Sequence, residues 1–534
     1  MPQTLPPPAN FASPQRERGR GPDSRGFALL AWAAGGLTCL WALLQHRLLL
    51  YGDATAHLAI ARRMVDSATP GLAQWGTVWL PLPHLLMAPL VWFLPLWRNG
   101  LAGAAPSWLA LGVATWLLHR LVRRSWGAGA AAWAAAVFCL NPSLLYLSAV
   151  PMTESIYLAC FLGVVDQCSA YAHQPRLRHA WAAGGWGLAA SLCRYDGWFL
   201  LPLALAALAL SSPNSIRALR AGWRFCLVAG LGPAFWLAYN GWYFNDPLGF
   251  ARGPYSARGI YEASLRAGGF RYPGDHALGL AVLYYLKTVV VTCGTPLMIL
   301  ALLGVLGWRH WRRRPAAWLL LAPLPWYVWA MWSGNVPIFL PQYWPHGYYN
   351  LRYGVQLLPA VALFSGLTVA ALWRGAGRVI VPGWSGARLA AAVGIGLALV
   401  CSGSYLWMLR APGPPAYAEA VHNAPARLEM EHLLAAALLP RQAGEQVLMY
   451  YGNFPGALAD DGIPLHEVVQ ESNFLLWQDA LLHPQAAVEW VVRESDSPTW
   501  RLVNQRDLRQ YFEQVADLHV ATQHEIKVYR RREH

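Results

Sequence analysis

Apolar runs of about 20 residues recur from position 27 to position 409, the length a helix needs to cross the hydrocarbon of a bilayer. Twelve can be drawn, at 27–44, 80–97, 102–118, 127–147, 155–171, 179–193, 198–210, 222–244, 288–308, 316–332, 351–373 and 389–409. The run at 80–97, LPLPHLLMAPLVWFLPLW, stands apart because it carries Pro81, Pro83, Pro89 and Pro95. Interior prolines remove backbone hydrogen bonds that lipid cannot replace. This run is therefore predicted to be a horizontal helix lying in, or dipping into, the outer leaflet, and eleven crossings remain.

The arginines agree with that count. With eleven crossings, the inner segments hold four arginines before the first span, then Arg120/Arg123/Arg124, Arg176/Arg178, Arg217/Arg220/Arg224, Arg309/Arg312/Arg313/Arg314 and Arg374/Arg378/Arg388, with Glu17 and Asp23 as their only acids. Cytoplasmic loops collect basic residues in this way, whereas twelve crossings would put the cluster at 120–124 and all later ones outside. The reading places residues 1–26 as a disordered cytoplasmic leader, the first span as a retained signal anchor, and the loop at 46–101 on the outer face. No internal repeat is visible.

The pattern changes after residue 410. APGPPAY opens a Pro-rich linker at 411–424, and 425–534 has ordinary soluble composition. Runs at 446–452, 488–494 and 525–531 read as strands and 427–439 as helix, which predicts a small α/β domain, extracytoplasmic by parity. The fold class expected is a polytopic α-helical membrane protein, with a membrane body at 27–410 and a small C-terminal α/β domain.

Composition sharpens this. Of 534 residues, 56% are hydrophobic and 13% charged. The net charge of +14 does not point to nucleic acid, because the excess of base lies before Ala411 and acids outnumber bases after it. All eight cysteines lie in or beside apolar segments, so the tail has no disulfide framework and the thiols read as small core residues.

The first outer loop raises the chemical question. It sets Asp53, His57, Arg62, Arg63 and Asp66 close together directly after the first span. As a helix over 54–67, Asp53 and His57 share a side, Arg62 and Asp66 form an i,i+4 pair, and Ser-Ala-Thr-Pro-Gly ends it. A plain reading makes Asp53 an N-cap and the rest a solvated amphipathic face. By the same topology, however, ionisable groups recur at outer ends: Glu154 in AVPMTESIYL, Arg194 and Asp196 in LCRYDGWFL, Lys287 at the opening of the eighth crossing, and Arg352 in HGYYNLRYGVQLLPA. Each has a local explanation as a helix-terminal charge or a surface ion pair, but together they mark one face. Trp75, Trp79 and the aromatic 325–349 region read mostly as an interfacial belt, with Tyr348 and Tyr349 as weak candidates for stacking on substrate.

An acid after the first span, a horizontal segment, a second acid in PMTES, the RYDGW turn and a late LRY...LLP together resemble the GT-C membrane glycosyltransferases. The closest likeness is to the protein-mannosyltransferase and aminoarabinose-transferase group, glycosyltransferase family 39. The resemblance implies an inverting transfer of a sugar from a polyprenyl-phosphate donor to a hydroxyl acceptor at the outer face. Asp53 and Glu154 match the family's loop acids as catalytic residues, and Arg352 its late arginine. His57, Arg62, Arg194, Asp196, Lys287, Tyr348 and Tyr349 fill out the expected substrate-binding set. Many relatives carry two adjacent acids in the first loop, whereas here Ala54 follows Asp53 and His57 stands one turn on, leaving the division of labour between Asp53 and His57 open. Glu154 either holds the acceptor or orients the sugar. No metal or other cofactor is implied. The expected partners are the lipid-linked donor, a lipid, glycan or protein acceptor, and the membrane.

The chain lacks G-x-x-x-x-G-K-[ST], H-E-x-x-H and paired C-x-x-C motifs. It also lacks an N-x-[ST] sequon with a permitted middle residue, which favours a bacterial inner membrane. The rival class is a transporter or flippase, which predicts charges at the membrane midplane and two related halves. A noncatalytic assembly factor is the third.

Overall fold

The computed structural model describes residues 23–307, 314–379 and 385–532. Residues 1–22 of the expected leader and the expected inner-loop Arg309, Arg312 and Arg313 lie outside the described residues. The helices of the first half are α1 (Ser24–Leu44), α2 (Gly52–Arg63), α3 (Leu82–Val91), α4 (Leu94–Arg98), α5 (Leu101–Trp126), α6 (Ala128–Cys139), α7 (Pro142–Ser148), α8 (Glu154–His173), α9 (Leu177–Cys193), α10 (Tyr195–Leu210), α11 (Ser215–Ala229) and α12 (Leu231–Phe244). Residues 24–26, assigned to the leader from the sequence, already belong to α1.

Among the described residues, six stretches are long and apolar enough to cross a membrane: α1, α5, α8, Ser215–Phe244, Leu351–Ala376 and Gly386–Met408. Two bent pairs raise the number to eight, α6 with α7 at 61° and Leu278–Cys293 with Thr295–Gly307 at 116°. The remaining expected crossings coincide with α9, α10 and the pair Pro315–Leu319 and Pro323–Trp332. Length alone thus qualifies six to eight spans, and a count of eleven rests on the arginine pattern.

Local chemistry sets both bends. Asn141 Oδ1 accepts the Leu144 N–H and Pro142 follows it, so a new helix starts in mid-run. Gly294 has φ +94°, and a Cβ there would come within 2.8 Å of Ser404 Oγ, so only glycine fits this turn. The second bend corrects the 288–308 run. The helix begins at Leu278, and Lys287 sits well inside it rather than opening a span.

The proline-rich 80–97 run forms two short helices, α3 and α4. At about 1.5 Å per residue, ten residues reach roughly half of a hydrocarbon layer about 30 Å thick. Pro83, His84, Met87 and Val91 are the buried stripe of α3. Met87 and Val91 pack with Leu58 and Ala61 of α2 and with Met430, Leu434 and Leu458 from beyond the last span. Burying a side chain of this size contributes about 1.5–3 kcal/mol, so the C-terminal domain is seated on the first loop.

That domain carries the strands β1 (Val447–Leu448), β2 (Val468–Val469), β3 (Trp490–Glu494), β4 (Phe512–Leu518) and β5 (Ile526–Arg531) in the order β2-β1-β3-β5-β4. β1 pairs in parallel with β2 and β3, while β5 is antiparallel to β3 and β4. Within the stretch read as linker, Pro415–Asn423 is a helix with Ala416, Ala418, Glu419 and Ala420 buried.

A polar clasp joins the domain to the first loop. Asp66 takes Arg62 Nη2 at 2.7 Å, His466 Nδ1 at 2.7 Å, and the Leu465 and His466 N–H groups. Burial works against the Asp66 carboxylate, but the bonds from His466 and Arg62 outweigh it and hold its pKa below the usual value. Gln74 bonds to Ser472 and Gln470, and Asn473 to Ser67 and Thr69.

Candidate active site

Helix α2 follows α1 after a seven-residue connection, 45–51, with Tyr51 as its N-cap residue and Asp53 in its first turn. Asp53 does not cap the helix. Its Oδ2 accepts from Arg352 Nη2, across 299 residues of chain. Arg352 lies in a 3-10 turn, Leu351–Leu357, that leads into the Leu358–Ala376 helix. The guanidinium lies over the rings of Tyr51 and Tyr353 at 5.0 and 5.1 Å. Its Nη1 donates to Glu419 Oε1 at 2.9 Å, and its Nε lies 3.5 Å from Glu154 Oε1.

Glu154 opens α8 and is shared with a second arginine. Arg194 Nη1 donates to Glu154 Oε1 at 3.3 Å and to Thr153 Oγ1 at 2.9 Å, while its Nε reaches Asp196 Oδ1 at 3.2 Å. Tyr327 bridges the same pair, donating to Asp196 Oδ2 at 2.8 Å and accepting from Arg194 Nη2 at 3.1 Å. Asp53, Glu154, Arg194, Asp196 and Arg352 therefore form one connected network, held by α2, α8, α10 and the late 3-10 turn.

Two guanidiniums face four carboxylates here: Asp53, Glu154, Asp196 and Glu419. The side chains of Glu154 and Glu419 are 1% exposed and Asp196 6%, whereas Asp53 is 36% exposed. Only Asp53 among the four is open to an incoming molecule. Glu154 Oε2 is buried without a hydrogen-bond partner, as is Arg352 Nε. Burial raises the Glu419 carboxyl above its usual value, against the pull of Arg352.

The other expected residues divide. His57 is buried, with Nδ1 3.0 Å from His84 Nε2 and its ring edge-on to Trp79. Burial, with Arg194 and Arg352 nearby, lowers its pKa to about 3, so it is a neutral imidazole at physiological pH. Arg62 belongs to the clasp on Asp66 and also donates to the Val91 carbonyl. Lys287 is exposed, its ammonium 5.8 Å from the Tyr343 ring centre, and has no acidic partner among the described residues. The Tyr348 ring lies tilted against His422, and that of Tyr349 against Phe339.

Sequence reading missed Glu419, Tyr51, Tyr327 and Tyr353. Glu419 had a signal: it is an isolated acid after the last span, on the outer side by parity, inside what read as linker. The tyrosines were hidden among the chain's 23 tyrosines and their aromatic neighbours. The one cluster with metal-ligand spacing among the described residues is Asp517, His519 and Glu525 on the β4–β5 hairpin. Lys527 already pairs with its two acids.

No protein-family model and no curated protein matches the chain. Two solved structures share its architecture over nearly its full length. ArnT from Cupriavidus metallidurans bound to undecaprenyl phosphate superposes with a TM-score of 0.57 at 15% identity, covering 94% of this chain and 98% of that one. The same protein in the apo state gives 0.52 at 16% identity, with 94% and 97% covered. At such low identity the likeness shows the fold: a multi-pass helical membrane body of GT-C type with a small trailing domain.

Proposed function

We propose that this chain, built on the GT-C fold, transfers a hexosyl or pentosyl unit from a polyprenyl-phosphate donor to a hydroxyl acceptor at the outer face of a bacterial inner membrane. The observation that carries the reading is a single solvent-facing carboxylate, Asp53, paired with a buried arginine that two further buried acids hold. The fold is shared with ArnT in complex with undecaprenyl phosphate, which supports a lipid-phosphate donor.

A sugar on a polyprenyl phosphate stays tethered by its tail, so the reacting bond must lie at the membrane boundary. Asp53 accepts the acceptor's hydroxyl proton as general base. The freed oxygen attacks the anomeric carbon from the face opposite the phosphate, and the electron pair of the breaking bond departs on the phosphate oxygen, with inversion. The leaving phosphate gains charge and needs fixed cations. Arg352 and Arg194 supply two in the network, and Lys287 is the one proposed substrate-binding cation with no acidic partner among the described residues. Glu154, fully buried, orients these arginines and the sugar. The proposed orientation has a cytoplasmic N-terminus and an extracytoplasmic C-terminal domain.

The test is sugar release from a radiolabelled polyprenyl-phosphate sugar by purified protein in detergent, with and without Asp53→Asn. Loss of release with retained folding supports the assignment. Undiminished release removes Asp53 as base, and sugar movement without bond cleavage points to transport.

A further inference from the structure

We infer that Glu419, on the first helix after the last span, is a positioning residue that fixes Arg352 against Asp53, so the C-terminal segment completes the catalytic centre. This rests on the transferase reading above.

Two oxygens of one buried carboxylate hold three donors. Glu419 Oε1 accepts Arg352 Nη1 at 2.9 Å and the Asn350 N–H at 2.9 Å, and Oε2 accepts the Arg352 N–H at 3.2 Å. The two backbone groups open the 3-10 turn, where N–H groups have no partner inside the turn. Asn350 sits at φ +57°, in the left-handed region that asparagine adopts more readily than most non-glycine residues, and its side chain ties back to the Pro337 carbonyl. Glu419 thus sets both the backbone that carries Arg352 and one edge of its guanidinium. The other edge is left to face Asp53 and Glu154.

The same helix also grips the opposite half of the pair. Tyr51, two residues before Asp53, donates its hydroxyl to the Ala416 carbonyl at 2.6 Å. Small residues make this close approach feasible: Ala416, Ala418 and Ala420 are buried on either side of Glu419. Asp53 and Arg352 are therefore referenced to one element that belongs to neither α2 nor the late span. Without the carboxylate, the Nη1 edge loses its anchor. The guanidinium is then free to swing onto Glu154 or cover Asp53, whose exposed oxygen is the proposed base.

A purely structural ion pair would cost stability and leave chemistry alone, and a double-mutant comparison separates the two roles. Wild type, Glu419→Gln, Arg352→Gln and the double variant are assayed for undecaprenyl phosphate affinity and for transfer from a polyprenyl-phosphate sugar, alongside thermal unfolding. Glu419→Gln should lower kcat about 10- to 100-fold, the worth of a hydrogen bond to a charged group, with a smaller change in KM. Adding it to Arg352→Gln should change neither readout by more than about twofold. Glu419→Asp, which keeps the charge at shorter reach, should recover part of the loss; it also serves if the Gln variant is not recovered folded. Wild-type turnover in Glu419→Gln, or losses that multiply in the double variant, overturns the inference. A wild-type protein that neither binds the lipid phosphate nor turns over overturns the transferase reading first.

Discussion

Helix α8 carries a buried acid near each end, and the two are treated differently. In the C-terminal half, Asp166 has both oxygens engaged: Arg120 Nε at 3.2 Å and Arg124 Nη2 at 3.1 Å on Oδ1, and Gln167 at 3.0 Å plus Arg120 Nη2 on Oδ2. At the N-terminal end, Glu154 shares Oε1 between Arg194 and Arg352, and its Oε2 has no hydrogen-bond partner among the described residues. Both are fully buried. A saturated pair is a lock, because every donor removed leaves a charge unpaid in low dielectric. An incompletely satisfied carboxylate, beside arginines shared among four acids, has capacity left for a substrate. On the proposed function, burial of charge does not mark the reacting end of this molecule; unsatisfied capacity, next to one exposed carboxylate, does.

The largest effect that could break this contrast is on Asp53. Asp53→Asn should lower transfer about 10²- to 10⁴-fold, the range for removing a general base, with an unchanged unfolding temperature. Activity near wild type would leave the N-terminal end without its proposed chemistry.

The acids at the two ends of α8 should then respond in opposite ways. Asp166→Ala should destabilise the protein by about 3 kcal/mol, the low end for breaking a buried pair because Arg120 and Arg124 are partly exposed, with near-normal turnover per folded molecule. Glu154→Gln should cost little stability and about 10- to 100-fold in turnover, since it loosens charge-assisted bonds to both arginines. Thermal unfolding and single-turnover rates measured on the same preparations decide it; matching profiles for the two would collapse the distinction.

A third buried acid sharpens the rule by having no ion pair with an arginine or lysine among the described residues. Glu494, at the end of β3, bonds to Asn453 Nδ2, and burial, offset in part by that bond and reinforced by Glu471, raises its pKa from 4.5 to about 7. The folded domain then holds this proton more tightly than the unfolded chain. Its contribution is fully present below pH 4.5 and is lost as pH rises to about 7, at a slope of up to about 1.4 kcal/mol per pH unit. Unfolding followed across that window should show the fall, and Glu494→Gln should flatten it. An unchanged slope in the variant would mean that this acid is charged despite its burial.

The smallest expected effect is at Lys287. Lys287→Gln should raise the donor KM about threefold, as expected for an exposed, screened cation, and leave kcat nearly unchanged. A larger loss in kcat would make Lys287 part of the network at the reacting bond.

Most of the frame was legible in the sequence. Span-length apolar runs located the helices, proline spacing kept 80–97 from forming a single long helix, and the α/β tail was visible in its strand runs. β2 escaped notice because it is two residues long, and β4 because the FEQVADL pattern is largely exposed. The bend at Gly294 was missed because an apolar run reads the same whether the chain continues or turns. In the site, the acids and arginines were named individually, yet Arg62 proved to belong to the domain clasp and His57 to a buried histidine pair. Both have the same charge or polarity as true network members, and only their neighbours tell them apart.

By itself the sequence determined that the chain is a membrane protein and raised the expectation that most of its basic residues lie on one side, because hydrophobic length and charge bias act locally and need no partner. The tertiary structure alone decided which acids meet Arg352. Asp53, Glu154 and Glu419 converge on Arg352 from 299, 198 and 67 residues away. Such pairings depend on how packed helices fix distances of a few ångströms, and a separation along the chain does not encode a separation in space.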